Sequence, residues 1–165
     1  MVSFPLLSSI IIVPLIGSLI ALFIKGEEKN ISKNLRELAI WTSLVELILS
    51  IILIFQFDFN NHNFQFIEKK SILAKFDISY HLGIDAISLI FIILTTTLFP
   101  ICFLYSKLSI RFRTREFVIA MLVLEALIIG VFCSLDIVLF YIFFESLLIP
   151  MFLIIGIWGG KNRIF

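Results

Sequence analysis

The chain has 165 residues, 61% of them hydrophobic and 15% charged, with a formal net charge of +1. Soluble domains carry nearer a quarter charged residues and do not stay this apolar throughout, so the composition excludes an ordinary soluble enzyme and indicates an integral membrane protein. The near-neutral balance gives no basic footprint for nucleic acid, and the bilayer itself is the first expected partner.

Five apolar runs are each long enough to cross a membrane as a helix: 4–24, 38–57, 86–105, 117–133 and 137–158. Backbone groups in lipid must be satisfied within their own segment, and the alternation that marks barrel strands is missing from these runs. The predicted fold class is therefore all-α, a polytopic transmembrane helix bundle forming a single membrane domain. No basic residue precedes Lys25, and the first run is longer than the core of a signal peptide, so it reads as a span rather than a cleaved leader. Pro14 falls in its middle, and Pro100 near the end of the third run.

Basic residues set the expected orientation. Lys25, Lys29, Lys33 and Arg36 follow the first run, Lys107, Arg111, Arg113 and Arg115 follow the third, and Lys161 and Arg163 follow the fifth. Only Lys69, Lys70 and Lys75 lie on the other side. The positive-inside rule then predicts the N-terminus outside and the C-terminus inside. The long outer loop, roughly 58–83, starts within FDFNNHNFQF (57–66), whose alternation fits a short strand pair or an interfacial segment. Asp85 is placed to cap the third helix. Cys102 and Cys133 read as inert buried thiols. His62 and His81 lack ligand-like spacing, so no metal site is predicted.

The chain is organised around its last run, DIVLFYIFFESLLIPMFLIIGIW, from Asp136 to Trp158. One carboxylic acid, Glu145, interrupts it, and Pro150 follows five residues later. An acid at that depth is costly to keep, which marks an ion or proton pathway. Pro150 has no N–H, so the Ser146 carbonyl loses its helical partner and the helix is loosened there. The bland alternative is a kinked span whose acid faces a polar groove and does nothing.

Only Ser134, Leu135 and Asp136 join the fourth and fifth runs, which must form an antiparallel pair. Glu125 lies nine residues before Ser134 and Glu145 nine after Asp136, each about 13 Å from the turn. The two acids are expected to be level, near the bilayer midplane, with Ala126 and Gly130 allowing close helix approach. Two level carboxylates cannot both stay ionised without countercharge, and no Lys, Arg or His lies inside the five runs. Water, a bound cation or helices elsewhere must supply it. Glu46, midway along the second run, is a third intramembrane acid to which no partner is assigned.

These residues carry a resemblance. Tyr80-His81-Leu82-Gly83-Ile84-Asp85-Ala86-Ile87-Ser88, Arg115-Glu116-Phe117, and Phe144-Glu145-Ser146-Leu147-Leu148-Ile149-Pro150-Met151 with Trp158-Gly159-Gly160 resemble signatures of subunit 4 of respiratory NADH:quinone oxidoreductase (complex I) and of the bacterial M subunit. The match runs from about Phe64 to Phe165, while the first two spans match in pattern only. The resemblance implies a proton-pumping, antiporter-like membrane subunit with no redox centre of its own. NADH, FMN, the iron–sulfur clusters and ubiquinone would be handled elsewhere in the complex. It implies that Glu145 pairs with a lysine on a later helix and that Glu125 belongs to the same channel. Such subunits have about fourteen spans, so an N-terminal fragment, a split gene product or a truncated frame is expected, with the rest of subunit 4 and other membrane subunits as partners. The alternatives are a subunit of a multisubunit sodium/proton antiporter, or a structural scaffold whose acids are protonated and idle. Abundant Phe, Ile, Asn and Lys suit an AT-rich genome, which favours the mitochondrial inner membrane, with a bacterial inner membrane as the alternative.

Overall fold

The computed structural model describes residues 5–25, 28–61, 63–73, 78–110 and 112–159. His62, Lys75, Arg111, Gly160, Lys161, Arg163 and Phe165, named above, lie outside the described residues. In chain order the elements are α1 (Leu6–Phe23), α2 (Glu28–Gln56), β1 (Gln65–Leu73), β2 (Ile78–Ile84), α3 (Ala86–Ser109), α4 (Thr114–Cys133) and α5 (Ile137–Trp158). Among the described residues, five helices are long and apolar enough to span a membrane. They coincide with the five expected runs.

The principal difference is α2, which starts ten residues before the expected span. Its first turns place Ile31, Leu35 and Leu38 at helical spacing, and Leu35 is fully buried. Lys33 and Glu37, one turn apart, form an ion pair at 3.8 Å. From Glu28 on, the basic stretch between the first two apolar runs is therefore an amphipathic extension of the helix. At that end of the bundle, Arg36 Nη2 donates to the Ile110 carbonyl and Arg115 Nη2 to the Ile24 carbonyl. Each arginine supplies a donor to the end of a neighbouring helix, where carbonyls lack helical partners. Trp158 Nε1 donates to the Phe112 carbonyl at 3.2 Å, tying the end of α5 to the same region.

The opposite end carries the strand pair. β1 and β2 are antiparallel, but they lie later in the loop than the phenylalanine-rich opening suggested. That opening forms a turn instead: the Asp58 carboxylate accepts from Asn60 N at 2.9 Å and the Asp58 carbonyl from Asn61 N at 3.3 Å. Such local bonds compete with a strand ladder. Within β1, Gln65 pairs with Ile84 and Glu68 with Leu82, so one extra residue is accommodated between them. Phe66 takes it up at φ 53°. This bulge sets the face on which the rest of β1 projects its side chains. Glu68 thereby reaches the start of α1, where its carboxylate accepts from Leu7 N at 2.9 Å and from Ser8 N at 3.1 Å, and also from the Ser8 hydroxyl. α1 has no side-chain cap of its own, its N-cap residue being Pro5.

Asp85 caps α3 as expected, its Oδ1 accepting from Ser88 N at 2.7 Å. Asp136 caps α5 through Val138 N at 2.8 Å and Leu139 N at 3.2 Å, and also accepts from Ser79 of β2. These backbone bonds hold both carboxyls below their ordinary range. The His81 carbonyl accepts from Leu135 N at 2.9 Å, so β2 is fastened to the α4–α5 turn.

α1 packs on α4 and α2, α2 on α3, and α4 on α5. The apolar core divides into two clusters. Near the sheet are Leu7, Ile10, Leu53, Leu89, Ile92 and Ile129; near the basic end are Leu35, Ala39, Phe99, Phe103, Val118 and Leu122. Between helices, close packing is bought with glycine at Gly17 and Gly130. A Cβ on Gly17 would stand 2.7 Å from Thr42, and one on Gly130 would stand 2.7 Å from the Phe143 ring. Gly130 thus serves the α4–α5 approach expected of it. Cys133 is buried as expected, but Cys102 is exposed on the outer side of α3. The inert-core reading therefore holds for one thiol only.

Candidate functional site

Along the helices, a polar layer separates the two apolar clusters. α2 contributes Ser43, Glu46 and Ser50, α3 contributes Thr96, and α4 contributes Glu125; each is at most 1% exposed. The three α2 residues are spaced i, i+3, i+7, so they share one helix face. Ser50 Oγ and Thr96 Oγ1 lie 2.8 Å apart and join α2 to α3 through a hydroxyl–hydroxyl bond. Ser43 and Ser50 also donate to carbonyls three residues back in their own helix, at 3.0 and 2.8 Å.

Within this layer Glu46 and Glu125 face one another, close enough for their carboxyl groups to interact. Both are fully buried. None of their four oxygens has a conventional hydrogen-bond partner. Glu46 is ten residues from the end of α2 and Glu125 eight from the end of α4. At 1.5 Å per residue both lie deep within the span, about 12–15 Å from those ends. Glu46, left without a partner by the sequence, is half of the buried acidic pair. The signal that could have found it is the Ser43–Glu46–Ser50 stripe, a polar face within the apolar stretch of α2.

Glu145 does not join them. Phe143 packs against Gly130 of α4. Glu145, two residues later, is turned about 200° from Phe143 at 3.6 residues per turn, which carries it to the far side of α5. There it is exposed, and the side chain it touches is Tyr141, one turn back. The expected couple of Glu125 and Glu145 is therefore corrected: the helices are adjacent, but the acids occupy different faces. Pro150 is buried on the packed side of α5 with Leu139, away from Glu145. α5 runs as one helix through it, and the Ser146 carbonyl loses the N–H that residue 150 would otherwise donate.

Apart from Leu139 and Pro150, α5 is largely uncovered, exposing Phe140, Tyr141, Phe144, Leu148, Ile149 and Phe152 among others. The described basic side chains stand at the helix ends or on the strand pair, and Arg36 and Arg115 are engaged with backbone carbonyls rather than with the acids. Among the described residues, no three His, Cys, Asp or Glu side chains converge as a metal site would require.

No family model matches the chain. Individual proteins do. It is 45% identical over 157 residues to NADH-ubiquinone oxidoreductase chain 4 of Marchantia polymorpha, a match covering 95% of this chain and 31% of that protein. The corresponding chain of Arabidopsis thaliana is 46% identical with the same coverage. NADH-quinone oxidoreductase subunit M of Rickettsia prowazekii is 37% identical across 100% of this chain and 34% of its own length. Among solved structures, a chain of respiratory complex I from Thermus thermophilus superposes with a TM-score of 0.74 at 22% identity, covering 97% of this chain and 30% of that one. The last match concerns the fold alone. The chain spans about a third of the length of the curated relatives it matches. In sequence, nearly the whole chain is similar to about a third of chain 4 and of subunit M of NADH-quinone oxidoreductase.

Proposed function

We propose that this chain is part of a proton-translocating membrane-arm subunit of respiratory NADH:quinone oxidoreductase, with Glu145 and Glu125 as proton-carrying groups. Similarity to chain 4 and subunit M over nearly the whole chain supports the assignment. It favours that complex over a sodium/proton antiporter. The observation that carries the relay is the position of Glu145: an acid in the middle of an apolar span, on the uncovered face of α5. An intramembrane carboxyl facing lipid is costly, whereas one facing another protein segment with a positive side chain is compensated. The countercharge comes from the remainder of the subunit or from neighbouring membrane subunits packed on this face. Pro150 frees one carbonyl beside Glu145 to bind water or a polar group.

On this reading the basic end faces the matrix or cytoplasm and the sheet end faces outward, as the charge asymmetry requires. The membrane is the mitochondrial inner membrane, or the inner membrane in a bacterium. NADH, FMN, the iron–sulfur clusters and ubiquinone are handled by other subunits, and this chain supplies proton-conducting groups only.

The test is Glu145→Gln in the assembled complex. The expected outcome is normal assembly with proton translocation and coupled quinone reduction lost. A second reading draws on the same open face: α5 serves as an interface, and Glu145 is protonated and idle. Unchanged activity in Glu145→Gln would establish that scaffold role and remove the relay.

A further inference from the structure

We infer that Glu46 and Glu125 form a proton-binding site between α2 and α4, retaining at least one proton between them at neutral pH. The reasoning starts from solvation. Both side chains are fully buried, and each is the other's interacting neighbour. None of their four oxygens has a conventional hydrogen-bond partner. Two facing carboxylates shut off from water repel one another and receive nothing in return, so the doubly ionised pair is excluded. One proton changes the balance. It forms a covalent O–H bond on one carboxyl and donates to an oxygen of the other, so the unpartnered oxygens become donor and acceptor. A second proton, one on each acid, removes the remaining charge.

The surroundings leave this as the available compensation. α1, which packs on both helices, carries no titratable residue within Leu6–Phe23. α3 carries Cys102, Tyr105 and Lys107, all in its last third and away from Thr96. α5 carries Tyr141 and Glu145 on its exposed face. On the paired helices themselves, Lys33, Arg36 and Glu37 of α2 and Arg115 and Glu116 of α4 stand near the basic end. Cys133 of α4 lies at the sheet end. A hard metal cation would need about six oxygens, and no third acidic, histidine or cysteine ligand converges here among the described residues. A proton needs two oxygens, which the pair has.

Proton occupancy rests on this geometry alone; passage of that proton along the Glu125–Glu145 relay rests on the function proposed above. The experiment is infrared difference spectroscopy of the full-length subunit in its native complex, at neutral pH in H2O and in D2O. The Glu46→Gln/Glu125→Gln double variant is compared with the parent. The expected result is loss of a protonated-carboxyl C=O band that shifts on deuteration. Loss of carboxylate stretches alone would overturn the proposal. Should the double variant fail to assemble, Glu46→Gln alone must still alter the protonated-carboxyl band of its partner; no change there overturns the proposal equally. The Glu145→Gln activity test is independent. A protonated pair beside a fully active Glu145→Gln complex refutes the relay and leaves the site standing, and the reverse combination does the opposite.

Discussion

Replacing Gly17 by alanine is expected to push α1 and α2 apart, and the size of the effect follows from one contact. The new Cβ would stand 2.7 Å from Thr42 Cγ2 and 2.8 Å from its Oγ1. That falls about 0.7 Å short of ordinary contact. Thr42 cannot swing aside cheaply, because it is β-branched and its hydroxyl donates to the Leu38 carbonyl at 2.8 Å. Overpacking of this kind costs about 1–3 kcal/mol. Alanine recovers about 1 kcal/mol over glycine through helix propensity. The net loss is up to about 2 kcal/mol, a factor of about 30 in the folded ratio. The assay is the thermal loss of the intact complex, followed by native electrophoresis of membranes carrying Gly17→Ala, Thr42→Ala or both. Thr42→Ala removes both clashing atoms and leaves no orphaned partner, since the Leu38 carbonyl retains its place in the helix. The double variant should therefore recover most of the stability lost in Gly17→Ala. A Gly17→Ala complex as stable as the parent, or a double variant no better than the single, would refute the close-approach argument.

Two further outcomes are expected at the sheet end. Glu68→Ala should cost about 1–2 kcal/mol and speed hydrogen exchange at the Leu7 and Ser8 amides, because α1 would lose its only described N-terminal acceptor and the negative charge near its positive end. Glu68→Gln should lose less, since it keeps an acceptor; equal exchange rates in all three proteins would contradict the capping role. Asp85 has its carboxyl held below the usual range, chiefly by the backbone N–H of Ser88. Its stabilisation is thus present above the unfolded value, near pH 4, and disappears as pH falls through the lower folded value. Asp85→Asn, an equally good cap without a titrating charge, should leave stability at pH 7 unchanged and flatten the acid limb of the solubilised subunit's stability profile. An unchanged acid limb would exclude Asp85 as a contributor.

The spans were legible because each is decided locally. Leu6–Phe23 and Ile137–Trp158 are continuous apolar runs of membrane length, and lipid leaves such a run no alternative to a helix. Asp85 was equally plain, since a cap depends on a residue and the amide three positions later. The start of α2 is not legible in the same way: its polar residues lie outside the apolar run, and the stripe of Ile31, Leu35 and Leu38 that holds it as helix becomes decisive only when a neighbour covers it.

Sequence by itself determined that the described residues carry five helices long and apolar enough to span a membrane, that acids lie at mid-length in them, and that countercharge is missing from the apolar runs. It could do so because depth is counted in residues along one helix. Which acids meet was decided only by tertiary structure, because meeting depends on the rotation of each helix about its axis. Packing at Gly130 and Phe143 turns Glu145 outward, and packing against α2 turns Glu125 onto Glu46. A single bulge at Phe66 likewise decides that Glu68 reaches α1. Azimuth and register are set by neighbours, and neighbours exist only once the chain has folded.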